Sequence, residues 1–408
     1  MEIYLVGGAV RDTLLKIPVV ERDWVVVGST PQEMLKNGFQ QVGRDFPVFL
    51  HPNNHEEYAL ARVDRKYGKR HIDFNCISKD ISLEEDLQRR DLTINAIARD
   101  KYGNFIDPYN GINDIRLCKL RHVSNAFCED PLRVLRVARF AARFFHLGFS
   151  VDSKTLLLMK LMCCELKWIS PERVWKETEQ ALVTKNPHVF FQVLRDCGAL
   201  EILFPEIHSL FSIPTLTSLQ KEINVGVHTL AVMSIVSKLS CDAVVRFSAL
   251  CHDFGKIFTS KKFWPNHFDH EVLGQRVIEK FCTRLRIPNI FKNFAKITAK
   301  YHDFLYTVNR VTSEKLIQFF NDIDIWHHKK KLEKLIVVSE ANLLGNIGCN
   351  DFYKEKIKFL RKAYEIANLI TAKEIIQEGF TGKNISNVLN ARRQDVLGKW
   401  INIYNIKN

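Results

Sequence analysis

The sequence predicts an α+β protein, with a small mixed sheet and its helices first and a long helical region after it. Short apolar runs typical of strands crowd the start of the chain, whereas apolar residues recur at helical spacing from about Leu83. The predicted strands are Ile3–Val6, Trp24–Val27, Phe46–Leu50, Tyr58–Arg62 and His71–Cys76. The charged segment Asp64–Arg70 contains a glycine, and we expect it to be a loop between two of these strands.

The first strand runs into a glycine pair and a helix start. Gly7 and Gly8 allow the backbone to approach a phosphate closely, and the amides of the helix start, with Arg11 nearby, can bind it. Glu21 and Asp23 enter the second strand, where alternation places both carboxylates on one face, within reach of shared divalent cations. Each feature alone is weak, but the ordered combination predicts a metal-assisted clamp for phosphates.

A predicted helix after Pro131 carries four arginines at helical spacing: Arg133, Arg136, Arg139 and Arg143. These guanidinium groups share one side of the helix, which favours an anionic ligand. Asp130 precedes the first of them by three residues, and a carboxylate beside a guanidinium can match the base edges of cytosine and adenine. The alternative is a solvated charge stripe, with the acid merely favouring the positive end of the helix.

Composition is compatible with a polyanionic partner. Lys and Arg total 59 against 46 Asp and Glu, which gives the 408-residue chain a net charge of +13. A basic protein without a nucleic acid partner has the same composition, so motifs must decide. The ten cysteines form no C-x-x-C pair, there is no signal-like leader, and no apolar run approaches the roughly 20 residues of a membrane helix. We therefore expect a cytoplasmic protein that does not enter membranes.

Four segments resemble the motifs of one family: LVGGAVRDTLL, ERDWVVVG, RRDLTINA and EDPLRVLRVARFAARF. They are similar to those of the class II bacterial CCA-adding enzymes, tRNA nucleotidyltransferases of the polymerase-beta-like superfamily. The resemblance implies template-independent addition of C, C and A to tRNA 3' ends from CTP and ATP with Mg²⁺. It also implies a nucleotidyltransferase head, an all-α neck, a body and a tail, which we expect at residues 1–140, 141–220, 224–326 and 327–408.

The resemblance also implies roles for matching positions. Gly8 and Arg11 would lie at the incoming nucleotide, and Glu21 and Asp23 would bind Mg²⁺. The first of these metal positions is more often Asp than Glu in the family, so the longer side chain could move the cation. The nucleotide would be bound and read by Arg90, Asp130, Arg133, Arg136 and Arg139, of which Asp130 and Arg133 match the base-reading pair.

The body region carries a second group of chemical residues. His228 and the pair His252 and Asp253 resemble the motif of HD phosphohydrolases, in which imidazoles and carboxylates hold metal ions that activate water. This implies phosphatase and 2',3'-cyclic phosphodiesterase activity with a transition metal such as Ni²⁺. Where HD domains place a last ligand Asp, this chain has Asn342, and an amide is a poor metal ligand. The pattern therefore favours nucleotide transfer more strongly than hydrolysis.

Other functions remain open from the sequence. A poly(A) polymerase shares the head motifs, although an evident long basic tail is absent. An HD phosphohydrolase could use the head only to bind RNA, and a non-catalytic RNA chaperone would leave both metal patterns unexplained. Basic runs such as His327–Lys331 are expected contacts for the tRNA backbone. The oligomeric state, monomer or homodimer, stays open.

Overall fold

The computed structural model describes residues 1–42, 48–66, 74–77, 81–216, 222–265, 267–347 and 352–407. The chain forms two compact units, Met1–Pro205 and Glu206–Asn408. Strands concentrate in the first unit and helices dominate the second. The predicted α+β class, with a mixed-sheet head followed by helices, is confirmed.

The strands of the first unit lie mostly before Ile106. They are β1 Glu2–Val6, β2 Asp23–Val27, β3 Gln40–Val42, β4 Val48–Leu50, β5 Glu57–Leu60, β6 Val63–Lys66, β7 Phe74–Ile77, β8 Ala98–Arg99, β9 Phe105–Ile106, β10 Lys119–Leu120 and β11 Ser150–Val151. Within the described residues the main sheet has the order β3-β4-β5-β2-β1-β8-β9. The β2 and β5 strands run parallel, while the other neighbours are antiparallel, so the sheet is mixed as expected.

Side chains alternate across the main sheet, as strand geometry requires. Val25 packs on one face with Val6 and Ala98, whereas Val26 packs on the other face with Phe49 and Leu60. Both faces are therefore covered. This fixes the register of β2, because a slip by one residue would move Val25 and Val26 to the opposite faces of the sheet.

Helices complete the first unit. They are α1 Gly8–Leu14, α2 Pro31–Lys36, α3 Leu83–Gln88, α4 Gly111–Arg116, α5 Leu132–Phe144, α6 Ser153–Leu161, α7 Pro171–Leu182, α8 Pro187–Asp196 and α9 Ala199–Leu203. Thr30 and Ser82 begin α2 and α3 with capping boxes, and prolines occupy the first turns of α7 and α8. Helix α5 packs against α7 and α8.

The second unit is mainly helical. Its elements are α10 Pro205–Leu210, β12 Pro214–Leu216, β13 Glu222–Asn224, α11 Val225–Leu239, α12 Ala243–Cys251, α13 His270–Arg284, α14 Asn289–Tyr301, α15 Phe304–Thr307, α16 Ser313–Asp322, α17 Lys330–Ile347, α18 Phe352–Asn368, α19 Ala372–Gln377 and α20 Lys383–Lys407. Helix α14 packs against α12 and α13, α11 packs against α17, and α20 packs against α16 and α18. Among the described residues, no helix combines the length and apolar character needed to span a membrane.

Two predicted loops are wrong in part. Residues 64–66 of the charged segment belong to β6, which pairs antiparallel with β7, while residues 67–70 lie outside the described residues. The composition of residues 213–217 also indicates a loop, at a domain boundary, but this segment contains β12, which pairs with β13. Composition is misleading in both cases, because a two-stranded ribbon satisfies its backbone hydrogen bonds without an apolar pattern. The domain limits proposed above stay predictions.

Candidate functional site

The first unit contains a cavity of about 1260 Å³ beside the end of β1. The glycine turn, the entry to β2, the end of α3, and helices α5 and α7 all contribute to its wall. Every head residue singled out from the sequence lies there: Gly8, Arg11, Glu21, Asp23, Arg90, Asp130, Arg133, Arg136 and Arg139. The structure therefore brings together groups that are far apart along the chain.

Strand register places a carboxylate beside the glycine turn. Asp23, the first residue of β2, pairs with Val6, the last residue of β1, immediately before Gly7. Gly7 has a φ of 68°, and a Cβ added there would lie 3.0 Å from Nη1 of Arg90. Only glycine fits this left-handed backbone under a guanidinium without strain. The close approach of backbone, carboxylate and guanidinium defines one end of the cavity.

The two carboxylates reach the cavity differently from the prediction. Glu21 precedes β2, so strand alternation does not position it, yet it lines the same cavity as Asp23. Burial raises the pKa of Asp23, an effect that the Arg90 guanidinium opposes and the Glu21 carboxylate reinforces. Repulsion between neighbouring carboxylates favours a bound cation. Such a pair suits Mg²⁺, which takes one or two protein carboxylates and completes its shell with phosphate oxygens and water.

The arginines of α5 share one side of the helix, as predicted, and all four line the cavity. The sequence did not reveal that each already has an intramolecular partner. Arg133 donates to the carbonyl oxygens of Ala126 and Arg89, both at 2.6 Å. The other three pair with carboxylates: Arg136 with Asp91 at 2.7 Å, Arg139 with Glu177 at 2.6 Å, and Arg143 with Asp12 at 2.9 Å. These partners hold the four guanidinium groups of α5 in fixed positions.

Arg11 lies deeper than a residue that only contacts an incoming ligand. It is 3% exposed, and its guanidinium donates to Asp12 and, at 2.5 Å, to Oδ1 of Asn95. The rings of Phe140 and Phe144 lie 5.1 and 5.0 Å from its guanidinium carbon. Burial lowers the pKa of Arg11, and the Asp12 carboxylate opposes that change. Arg11 therefore ties α1 to α5 at the cavity wall.

Asp91 was not predicted as a site residue from the sequence, although it lies in the segment RRDLTINA. One oxygen of Asp91 accepts from Nε of Arg136, and the other accepts from the Leu92 amide at 2.8 Å and from Nδ2 of Asn95 at 2.9 Å. Burial alone would raise the pKa of Asp91, but Arg136 and the Asn95 hydrogen bond hold it well below its usual range. An acid directly after an arginine pair was the available signal.

Arg173 was also missed. It donates from Nη2 to Oδ2 of Asp130 at 2.8 Å, while Oδ1 of Asp130 accepts from the Leu132 amide at 3.0 Å. Asp130 and Arg133 both line the cavity, but their side chains do not hydrogen-bond to each other. The sequence places Arg173 only within the expected all-α neck, residues 141–220. In the structure it supplies the group that fixes the orientation of the Asp130 carboxylate.

The second unit gathers the predicted metal ligands. One ligand atom each from His228, His252 and Asp253 lie within 4.8 Å of one another, and all three residues are buried. A second set, which the sequence reasoning did not propose, consists of Asp253, His270 and His302. Asp253 belongs to both sets, so its two carboxylate oxygens can serve two metal positions. Histidines at the start of α13 and directly after α14 were the missed signal.

Unsatisfied atoms indicate that this cluster fits a metal. Nε2 of His252 and Oδ1 of Asp253 are buried and form no well-aligned hydrogen bond; their ion-pair partners are Oδ2 of Asp253 at 3.3 Å and Nε2 of His302 at 3.5 Å, so both atoms keep capacity to bind a ligand. Burial lowers the pKa of His228 to about 4, which favours the neutral imidazole that a metal requires. Burial also acts to lower the pKa of His302, but the carboxylates of Asp303 and Asp253 outweigh it and raise this pKa to about 9. Imidazoles with carboxylates suit a transition metal.

Asn342 lies at this cluster, as its position in the sequence suggested. Its Oδ1 lies 2.9 Å from Nε2 of His228, and its Nδ2 donates to Oδ1 of Asp303 at 3.1 Å. The amide therefore bridges a candidate ligand and a carboxylate. A carboxylate at this position could instead contribute a charged ligand atom.

Three family models match successive parts of the chain. The poly A polymerase head domain matches residues 3–121, the probable RNA and SrmB-binding site of polymerase A matches residues 148–211, and the HD domain matches residues 225–336. The glycine turn and the two carboxylates of the cavity lie in the first match. The histidine cluster, from His228 to His302, lies in the third. Head domains of this kind and HD domains are both metal-dependent.

Solved structures match over almost the whole chain. A Thermotoga maritima CCA-adding enzyme complexed with tRNA is 20% identical, with a TM-score of 0.64 over 98% of this chain and 87% of that one. A Bacillus stearothermophilus CCA-adding enzyme in complex with CTP is 22% identical, with a TM-score of 0.59 over 99% and 93%. The chain has the fold of the CCA-adding enzymes. Its head, RNA-binding and HD regions follow one another in the order that the resemblance implied.

We expect Asp91→Asn to lower the free energy of unfolding of the head by about 1–3 kcal/mol at pH 7, because it leaves Arg136 without its charged partner. The folded-state pKa of Asp91 is depressed, so its contribution is fully present above the unfolded pKa of about 3.9 and is lost progressively as pH falls from that value through the lower folded pKa. The difference between variant and wild type should therefore shrink in acid, as measured by urea unfolding between pH 7 and pH 3. The exposed Asp196→Asn is the control, with an expected change within about 0.5 kcal/mol. Equal losses in the two variants would contradict the assignment.

Proposed function

We propose that this protein is a template-independent nucleotidyltransferase that adds and repairs the 3'-terminal CCA of tRNA from CTP and ATP. The observation that carries the proposal is one cavity containing the glycine turn, the Glu21 and Asp23 carboxylates and the arginines of α5. Fold relatives include CCA-adding enzymes complexed with CTP, with ATP and with tRNA, which supports the same substrates here. The expected location is the cytoplasm, as a monomer or a homodimer.

Glu21 and Asp23 are the residues that would hold Mg²⁺. Bound there, two such ions would lower the pKa of the tRNA 3'-hydroxyl and stabilise the pyrophosphate leaving group. The protein contributes positioning. The backbone at Gly7 and Gly8 approaches the triphosphate, the α1 start offers amide donors, and the α5 guanidinium groups offset phosphate charge. Arg90, beside Gly7, adds a further cation at the same end of the cavity.

Base selection is assigned to Asp130 and Arg133. An ionised Asp130 accepts a hydrogen bond from the exocyclic amino group that cytosine and adenine share, whereas uracil and guanine present an acceptor at the equivalent place. Arg173 holds the carboxylate of Asp130 at 2.8 Å, so the acceptor is fixed before a nucleotide arrives. A wrong base would place its own acceptor against the Asp130 carboxylate, and such a mismatch of hydrogen-bonding groups is the strongest discrimination available to such a site.

The decisive experiment gives the purified protein a tRNA lacking its last three nucleotides together with each labelled nucleotide separately and then CTP with ATP. A CCA-adding activity incorporates C from CTP alone and completes CCA with both. A poly(A) polymerase incorporates only ATP, and an HD phosphohydrolase with an RNA-binding head incorporates none. Extension limited to ATP, or no extension with any nucleotide, would overturn the proposal.

The histidine cluster supports a second candidate activity, metal-dependent phosphohydrolysis of phosphate monoesters or 2',3'-cyclic phosphates. His228, His252 and Asp253 would hold a transition metal such as Ni²⁺, and the buried ligand atoms of His252 and Asp253, which form no well-aligned hydrogen bond, favour its binding. A metal in such a site provides an activated water. The amide of Asn342 in place of a carboxylate predicts weaker metal binding than a fully acidic set.

We expect Asp23→Asn to abolish nucleotide addition while leaving the fold intact, because it removes a metal-binding charge from a side chain that lines the cavity and not the core. The loss should correspond to several kcal/mol of transition-state stabilisation, measured as kcat/KM for CTP. Glu21→Asp should stay active, since it keeps the charge and shortens the reach. Glu57→Gln is a matched control, because Glu57 of β5 lies opposite Asp23 of β2 in the sheet but does not line the cavity. Near-normal turnover of Asp23→Asn would remove Asp23 from the metal site.

Asp130→Ala should retain the chemistry but blur the discrimination of CTP and ATP from UTP and GTP by about 10- to 100-fold, the equivalent of one lost hydrogen bond to a charged group. The measurement is kcat/KM for each nucleotide. Asp130→Asn keeps the shape of the side chain and the bond from the Leu132 amide, so it separates base reading from local folding. If both variants rejected UTP and GTP as well as the wild type does, Asp130 would not be the reader.

Replacing His252 and Asp253 with Ala should leave CTP and ATP addition essentially unchanged, because the cluster lies in a different compact unit from Glu21 and Asp23. Metal content and hydrolysis of 2',3'-cyclic nucleotides should be lost. Asn342→Asp should raise both, since it adds a charged ligand atom next to His228.

The control for this pair replaces the exposed His208 and Asp395 with Ala and should keep wild-type metal content. Hydrolysis that survives in the His252 and Asp253 variant would exclude the cluster from that activity. Loss of nucleotide addition by a folded variant would show that the two sites are coupled.

A further inference from the structure

The second unit contains a cleft of about 650 Å³ beside the basic run His327–Lys331, and none of the residues of the histidine cluster lines it. Buried Val244 and Phe294 line it together with half-buried Ile297 and Trp326. The exposed residues that line it are Ile290, Asn293 and the run from His327 to Lys330. The cleft therefore combines an apolar, aromatic floor with a basic rim.

Part of the rim charge is balanced within the unit. Asp324 accepts from His327 at 2.6 Å and pairs with Lys331 at 3.2 Å, and Lys334 pairs with Asp242 at 2.7 Å. Across the described part of the chain, Lys329 and Lys330 form no ion pair. The rim thus keeps two exposed ammonium groups whose charge no neighbouring acid neutralises.

These two lysines do not stabilise the helix that follows them. Helix α17 begins at Lys330, and cations at the first turn of a helix oppose its macrodipole. A negatively charged ligand in the adjacent cleft would offset this unfavourable interaction with the dipole. The ligand must also bring a flat or apolar group, because a simple anion would leave the floor uncovered.

We propose that this cleft binds an unstacked nucleotide of an RNA. Its base would cover the apolar floor, and its flanking phosphates would meet Lys329 and Lys330. Proteins recognise single-stranded RNA by this combination of aromatic platforms and backbone cations. The volume lies within the range of about 300–1000 Å³ that is typical of small-ligand sites.

Neighbouring contacts make the aromatic part of the floor rigid. The guanidinium carbon of Arg393 lies 3.6 Å from the centre of the Trp326 ring, and Nε1 of Trp326 donates to Asn321 at 2.7 Å.

The inference rests on the proposed function for one point, the identity of the RNA as tRNA.

The test measures binding of a labelled tRNA lacking its last three nucleotides to the full-length protein over a salt titration. Lys329→Ala with Lys330→Ala should weaken binding and reduce the slope of log affinity against log salt by about 1.4–1.8, the value for two lost phosphate contacts. Ile290→Ser should weaken binding about fivefold or more without changing that slope, because it removes apolar contact and no charge. Both effects should appear in KM for the RNA and not in kcat.

Matched controls separate the cleft from general charge. Lys238→Ala with Lys280→Ala removes two exposed lysines elsewhere in the same unit, and Leu369→Ser removes an exposed apolar side chain. These variants should bind as the wild type does. Equal weakening by the control and cleft lysine pairs would overturn the inference, as would unchanged RNA affinity in the cleft variants. Binding of phosphatidylglycerol vesicles that depends on Lys329 and Lys330, with RNA binding independent of them, would overturn it in favour of a lipid surface.

The binding assay needs no nucleotide triphosphate, so its outcome is independent of catalysis. A wild-type protein that binds RNA through this cleft but extends no tRNA supports this inference and overturns the proposed function. A protein that adds CCA with cleft variants unaffected in KM supports the proposed function and overturns this inference.

Discussion

The buried carboxylate of Asp91 is the interaction on which the cavity of the head depends. It holds Arg136 of α5 on one side and Asn95 on the other, and Asn95 in turn accepts from Arg11 of α1. Arg11 pairs with Asp12, which also holds the last arginine of α5. These contacts run from α5 to the turn that follows α3, then to α1, and from α1 back to α5. A buried charge without such partners would be strongly destabilising, so the network ties these elements in one arrangement.

This closed network also explains why the guanidinium groups are ordered before any ligand is present. Long arginine side chains normally lose considerable rotamer freedom when a ligand fixes them. Here that loss is met during folding, because carboxylates and carbonyl oxygens already determine where each group lies. Groups fixed in advance around a developing charge are the arrangement that stabilises transition states most effectively.

Local patterns in the sequence predicted the fold class, the glycine turn, the arginine side of α5 and the coming together of His228 with His252 and Asp253. Each depends on spacing within a strand, a helix or a short motif. The missed contacts join residues distant along the chain. Arg143 and Asp12 are 131 positions apart, and Arg173 and Asp130 are 43 apart. Such pairs depend on how helices pack, which single-sequence periodicity does not report.

The histidine cluster illustrates the same limit. His270 and His302 lie on different helical segments from His252, and each alone resembles an ordinary buried histidine. Their shared contact with Asp253 becomes visible only when α12, α13 and α14 are packed together. The wrong loop at Asp64 has another cause, because a charged strand lacks the apolar alternation that identifies its neighbours.

The pre-paired arginines make the cavity a site of exchange, where an entering anion must displace or share carboxylates that already hold the same guanidinium groups. A ligand with one phosphate would replace a single internal contact by an equivalent one and gain little. A ligand with several linked phosphates engages several groups after one loss of translational freedom. The cavity should therefore select ligands by the number of phosphates that can contact the guanidinium groups at the same time. A triphosphate should bind tightly, whereas orthophosphate and monophosphates should bind weakly.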